Sequence, residues 1–247
     1  MLKSRAVRAG AVGVLAIAAW LAAPPVLRYA RAVSALLRIE DAARQPSFLE
    51  YPVEERPATV KWPGGEAPAR LYLPKNVASA PGIVVLHGIH HLGIGEPRLV
   101  NFARVMAASG FVVLTPELAA VADYRIEPSA IAIIGASARR LATEMQVPRV
   151  GVLGLSFAGG LALMAAADPQ WSQSIAWVAA IGAHHDLGRV VKFLVTGSAP
   201  RPDGSVLHLA AHEYGALITV YDRPEDFFSP ADAPAARESL RLLLWEK

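Results

Sequence analysis

The chain has 247 residues, 53% of them apolar, enough for one globular domain with a sizeable core plus an additional segment. Lys and Arg number 24 against 21 Asp and Glu, a net charge of +3, with no basic cluster interleaved with aromatics, so a nucleic-acid partner is excluded. There is no cysteine, which rules out disulfide and thiolate chemistry.

Lys3, Arg5 and Arg8 precede an uncharged run from Ala9 to Leu27, long enough almost to span a hydrocarbon core. Ala22 and Ala23 offer a cleavage site, but Pro24 and Pro25 directly behind them obstruct it. Residues 1–30 are therefore expected as an uncleaved signal anchor or transmembrane helix. The positive charge in front of the run keeps the N-terminus inside and sends the globular domain out of the cytoplasm, to a bacterial periplasm or the cell surface. Residues 31–47, rich in Ala, Leu and Arg, are expected as a helical stem.

From residue 48 the pattern becomes strand-like. Ala58 to Trp62 and Ala69 to Pro74 alternate on either side of Pro63-Gly64-Gly65, the signature of a hairpin. Gly82 to Leu86 is a continuous β-branched run, as in a strand buried on both faces. Glu96 to Gly110 follows as a helix with Leu99, Phe102, Ala103 and Met106 on one face and Gly110 as its C-terminal stop. Phe111 to Pro116 is the next strand, and Pro128 opens a helix carrying Ile131, Ile134, Ala138 and Leu141. Arg149 to Leu153 is a third parallel strand. A helix after Ser156 aligns Phe157, Leu161, Met164 and Ala165, and Ile175 to Ile181 is a fourth strand. Strands alternating with helices at this spacing predict an α/β fold with a doubly wound, mostly parallel sheet. Beyond Asp186 the rhythm is lost: a helix to Val195, a Pro/Gly-rich loop at 197–204, an ambiguous segment at 206–221 and an amphipathic helix from Ala231 with Ala236, Leu240, Leu243 and Leu244 on one face.

The chemistry concentrates at two strand ends. In Val150-Gly151-Val152-Leu153-Gly154-Leu155-Ser156-Phe157-Ala158-Gly159-Gly160, an apolar strand meets a helix across a turn of small residues that lifts one serine, the design of a nucleophile elbow. His87-Gly88 closes the first parallel strand in the same way. Open α/β sheets gather their ligand sites at such ends.

These two motifs in register, over about residues 48–186, resemble the α/β-hydrolase superfamily, and with the anchor-like start they look like its uncharacterised bacterial members. The resemblance implies that Ser156 is the nucleophile, that the backbone N–H groups of Ile89 and Phe157 hold the oxyanion, and that His87, Gly88 and Gly154 shape the two turns. It also implies an acyl ester, thioester or amide as small-molecule substrate, no cofactor and no metal. Ala158 departs from G-x-S-x-G by one tolerated small residue.

The superfamily order is Ser, acid, His, and no histidine follows His212. Asp222 or Asp226 cannot complete that order. Residues 187–247 look like a helical cap, and the chain is expected to stop within or just after it, before the final strands and the catalytic His. Asp186, in His184-His185-Asp186, is either the acid or the cap of the next helix; His184 or His185 as base would break the order. His90 and His91 are pocket-entrance or solvated residues. His208 and His212 have metal-ligand spacing but neither an interposed Glu nor a third ligand. Asp123 and Arg125 are expected as a surface pair. No P-loop or dinucleotide fingerprint is present. Two functions remain in view: a membrane-anchored serine hydrolase, and a non-catalytic or inactive α/β-hydrolase-like module, the missing histidine favouring inactivity for these 247 residues alone.

Overall fold

A computed structural model describes residues 23–184, 186–211 and 214–246. Most of the apolar run 9–27 lies outside them; among the described residues no helix is long and apolar enough to cross a membrane. The first helix, α1, covers 23–40, and 41–50 is turn and coil, so the expected stem is helical only as far as Glu40.

β1 (Val53–Trp62) and β2 (Gly65–Pro74) form the expected hairpin, with Trp62 opposite Gly65 and Gly65 at φ +136, where glycine carries no Cβ penalty. β2 pairs antiparallel with β4 (Val112–Pro116). From β4 the sheet continues parallel through β3 (Gly82–Leu86), β5 (Val150–Leu155) and β6 (Ile175–Ile181). Ile83, Val84, Val85 and Leu86 are all fully buried, which is why β3 reads as an unbroken apolar run. The chain leaves β3 for β4 on one side and returns to β5 on the other. The C-terminal ends of β3 and β5 therefore flank a topological switch point, and Leu86 pairs with Gly154 directly before it.

Helices cover both faces. α2 (Pro97–Ala108) packs Leu99, Ala103 and Ala107 against Ile83, Val85 and Val113. It starts cleanly because Glu96 accepts from Leu99 N at 2.7 Å and Pro97 follows at N1. After the short α3 (Ala119–Ala122), α4 (Ser129–Glu144) and α5 (Phe157–Ala167) lie on the opposite face, over Val84, Leu86 and Val152. Met164 does not join this core: it is 57% exposed and lines a cleft.

Beyond β6 come α6 (Leu187–Thr196), a small hairpin of β7 (Ser198–Pro200) and β8 (Val206–His208), α7 (Tyr214–Asp222) and α8 (Ala233–Trp245). The cap-like region is thus mainly helical but carries a two-stranded sheet where a loop was expected. The ambiguous segment resolves into β8 and α7. Leu244 of α8 is buried and Leu240 half-buried, whereas Leu243 is 48% exposed, so the docked face is narrower than the sequence pattern. Tyr124, Ile218, Tyr221 and Leu244 form a cluster that Ile89 joins, placing the C-terminal helices over the turn that follows β3.

Candidate active site

Ser156 stands at φ 53, ψ −130 between β5 and α5. An L-residue adopts this conformation at a cost of about 1–3 kcal/mol, and such strain collects at functional turns. The surrounding backbone enforces it. Ser156 N donates to Ile181 O at 2.8 Å, and Gly159 N donates to Ser156 O at 3.0 Å. A Cβ on Gly154 would sit 2.6 Å from both Ala158 O and Gly159 Cα, and one on Gly159 would sit 2.7 Å from Ala183 Cβ. Strand and helix can close this tightly only with bare backbone at both positions. The Ser156 side chain is exposed and makes no hydrogen bond among the described residues.

Gly88 faces Ser156: a Cβ there would be 3.3 Å from Ser156 Cβ. The turn that carries Gly88 is tied down by His87, which is 2% exposed. His87 Nδ1 lies 2.8 Å from Gly88 O and donates to it, while Nε2 accepts from Leu118 N at 3.0 Å. Those two bonds define a neutral ring with its proton on Nδ1. Glu117 Oε1, 3.3 Å from Nε2, therefore receives no proton from the ring and is buried without a partner, while Oε2 accepts from Ile94 N at 3.0 Å. Loop 88–94 is thus held at both ends by the residues that follow β4. Neither Ile89 N–H nor Phe157 N–H has an acceptor among the described residues.

His87, Gly88, Ile89, His90 and Ser156 line one cleft of ≈ 470 Å³, closed on its other side by Glu96, Leu99, Phe102 and Ile39 of α1. His90 Nδ1 accepts from Leu92 N at 3.2 Å, which leaves its proton on Nε2. Burial, reinforced by the neighbouring His91, holds the His90 pKa below the usual imidazole value. Burial pushes the Glu96 carboxyl up, but the Arg98 guanidinium and the N–H of Leu99 outweigh it, so this group titrates below the ordinary carboxylate range. A stacked column runs from His90 through His91 (4.8 Å) to Trp245 (5.5 Å), with Arg241 4.3 Å above the indole. The end of α8 thereby reaches the turn that follows β3, a contact between residues too distant in sequence to be read from it.

Asp186 is exposed and caps α6, accepting from Arg189 N at 3.1 Å, with no bond to a histidine among the described residues. The capping alternative is the one its carboxylate realises. His184 meets the Phe157 ring edge-on at 4.8 Å and lines a second, apolar cleft of ≈ 550 Å³ with Ile126, Leu161, Met164 and Leu187. His185 and His212 lie outside the described residues. His208 sits in β8 rather than on a helix, 3.1 Å from Ser198 Oγ. Asp123 pairs with Arg125 at 2.9 Å as expected, and it also accepts from Tyr221 OH at 2.7 Å. That bond, with burial acting first, pushes the Tyr221 pKa up to about 12. Tyr124, at φ 57, donates to Leu244 O at 2.8 Å. These two tyrosines fasten the loop after β4 to α7 and α8; the sequence offered only the Asp123–Arg125 spacing as a signal.

The mixed sheet, with the serine turn after β5 and the His-Gly turn after β3, defines the α/β-hydrolase fold, and solved structures of that fold superpose on the chain. Brefeldin A esterase, a bacterial homologue of human hormone sensitive lipase, matches with a TM-score of 0.54 and 18% identity, over 85% of this chain and 63% of its own. The esterase of Pyrobaculum calidifontis matches with a TM-score of 0.51 and 20% identity, over 85% of this chain and 68% of its own. The superposed part is thus about two thirds of each esterase. No family model matches the chain, and neither does any curated protein sequence.

Proposed function

We propose that the protein is a serine hydrolase of the α/β-hydrolase type that cleaves acyl esters, with Ser156 as nucleophile and the N–H groups of Ile89 and Phe157 as oxyanion hole. The strained backbone of Ser156 carries this reading: about 1–3 kcal/mol is spent holding one exposed hydroxyl on this turn, and the N–H groups of Ile89 and Phe157 have no acceptor among the described residues. Attack by Oγ on the ester carbonyl would form a tetrahedral oxyanion; its collapse breaks the ester C–O bond, the proton lost by Oγ goes to the departing alkoxide to give the alcohol, and the acyl-enzyme that remains is opened by water. Esterase neighbours support ester substrates. In the same reading the run 9–27 anchors the protein and keeps the catalytic domain outside the cytoplasm. Membranes washed with carbonate should retain it, and release of unprocessed protein would contradict the anchor.

Ser156→Ala should abolish hydrolysis of a short-chain nitrophenyl ester by purified full-length protein. Turnover equal to wild type would remove Ser156 from the mechanism. A second reading, a module that binds acyl compounds without turning them over, is favoured by one observation: no described histidine is bonded to Ser156 Oγ. An elbow and an oxyanion hole alone support only residual catalysis. Binding of a substrate analogue at the Ser156 cleft, with no turnover in either protein, would select that reading.

A further inference from the structure

α1 is amphipathic in the opposite sense to a helix that packs on a core in water. Its inward side holds polar groups. Arg31 Nε donates to Leu49 O at 3.0 Å, with the guanidinium 4.6 Å above the Tyr51 ring. Ser34 Oγ donates to Glu50 at 2.8 Å, and Arg38 forms an ion pair with the same carboxylate, whose side chain is 4% exposed. Asn101 donates to Arg38 O at 3.0 Å. These bonds fix the rotation of the helix, and they leave Val26, Tyr29, Val33 and Leu36 exposed at 61, 75, 56 and 66%. Spaced by three and four residues, these four form one stripe. The next step along it is Ile39, which walls the Ser156 cleft.

Three features of the chain identify what covers the stripe. It continues the uncharged run 9–27 without an intervening linker. No acidic residue occurs before Glu40, whereas Lys3, Arg5, Arg8 and Arg28 do, apart from Arg31 and Arg38, which tie α1 inward; this suits an anionic lipid surface. Tyr29, the most exposed member, has the amphipathic ring found at headgroup depth. Pro24 and Pro25 supply no N–H, so α1 can change direction from what precedes it.

We infer that α1 lies in the interface of an anionic bilayer along this stripe, and that the Ser156 cleft opens at the same surface to receive the acyl chain of a membrane-resident ester. The substrate half rests on the serine-hydrolase reading; the orientation of α1 does not.

The chain has no cysteine, so single cysteines carrying an environment-sensitive fluorophore can report on chosen sites of the full-length protein. In phosphatidylcholine–phosphatidylglycerol vesicles, labels at Val33→Cys and Leu36→Cys should be blue-shifted and quenched by doxyl lipids. A label at Arg201→Cys, in the β7–β8 hairpin, should answer only to aqueous iodide. Iodide quenching at 33 and 36, or their cross-linking to a second copy, would overturn the orientation. The paired variant Val33→Glu, Leu36→Glu should slow hydrolysis of a vesicle-embedded long-chain ester by about tenfold and leave a soluble short-chain ester within about twofold. Equal losses on both esters would overturn the link between stripe and cleft. Absence of turnover with either ester, the lipid quenching intact, would strike the substrate assignment and Ser156, and leave the orientation standing.

Discussion

Replacing Ser156 separates the strain of the elbow from its chemistry. At φ 53, ψ −130 the serine Cβ is responsible for the strain, about 1–3 kcal/mol, while Oγ makes no hydrogen bond among the described residues. Ser156→Ala keeps the Cβ and removes only Oγ, so its stability should stay within about 0.5 kcal/mol of wild type. Ser156→Gly removes the Cβ and with it the strain, against about 0.5–1 kcal/mol of extra chain entropy in the unfolded state. The balance favours the glycine variant by about 1 kcal/mol, which for a chain of this size raises Tm by roughly 2–4 °C. Thermal unfolding of the three proteins in one detergent, followed by tryptophan fluorescence, reads this directly. Both variants should be inactive, with glycine melting highest. A glycine variant melting at or below Ser156→Ala would refute the idea that the backbone stores strain at this position.

Three further outcomes follow from the same geometry. Gly154→Ala puts a methyl 2.6 Å from Ala158 O and Gly159 Cα, so it should cost about 1–3 kcal/mol in urea unfolding and displace the serine. His87→Phe leaves Leu118 N–H buried without its acceptor and frees Gly88 O; a loss of about 1–3 kcal/mol is expected, with a larger fall in kcat than in substrate affinity. Tyr221 titrates near 12 in the folded state against about 10 unfolded, so its contribution is fully present below pH 10 and is lost as pH rises towards 12. Tyr221→Phe should flatten the alkaline limb of the stability profile and remove a tyrosine that titrates near 12 from the ultraviolet titration.

The fold was legible wherever one local rule decided the outcome. Ile83 to Leu86 could only be a strand buried on both faces, and Gly154, Ala158 and Gly159 announced a crowded turn because nothing larger fits it. Met164 and Leu243 failed because helical periodicity shows which residues share a face and leaves open what that face meets: one borders a cleft and the other solvent. The hairpin of β7 and β8 was hidden because each strand is three residues long, below the length at which alternation is visible. At the site, Ser156 and the His87-Gly88 turn were readable as motifs. The supports from Glu117, Tyr124, Tyr221 and Trp245 were not, since they depend on contacts across as many as 154 residues, as between His91 and Trp245. The inverted face of α1 escaped for a related reason: its exposed and inward sides are set by Glu50 and Leu49, which sequence pattern alone does not bring to it.

The most direct test of the central claim is to treat full-length protein with a fluorophosphonate and locate the adduct by peptide mass spectrometry. A single phosphonyl group on Ser156, formed faster than on any other serine and absent from Ser156→Ala, is the expected result. Equal labelling of the alanine variant, or an unmodified Ser156 while other serines react, would contradict the assignment of this residue as the nucleophile.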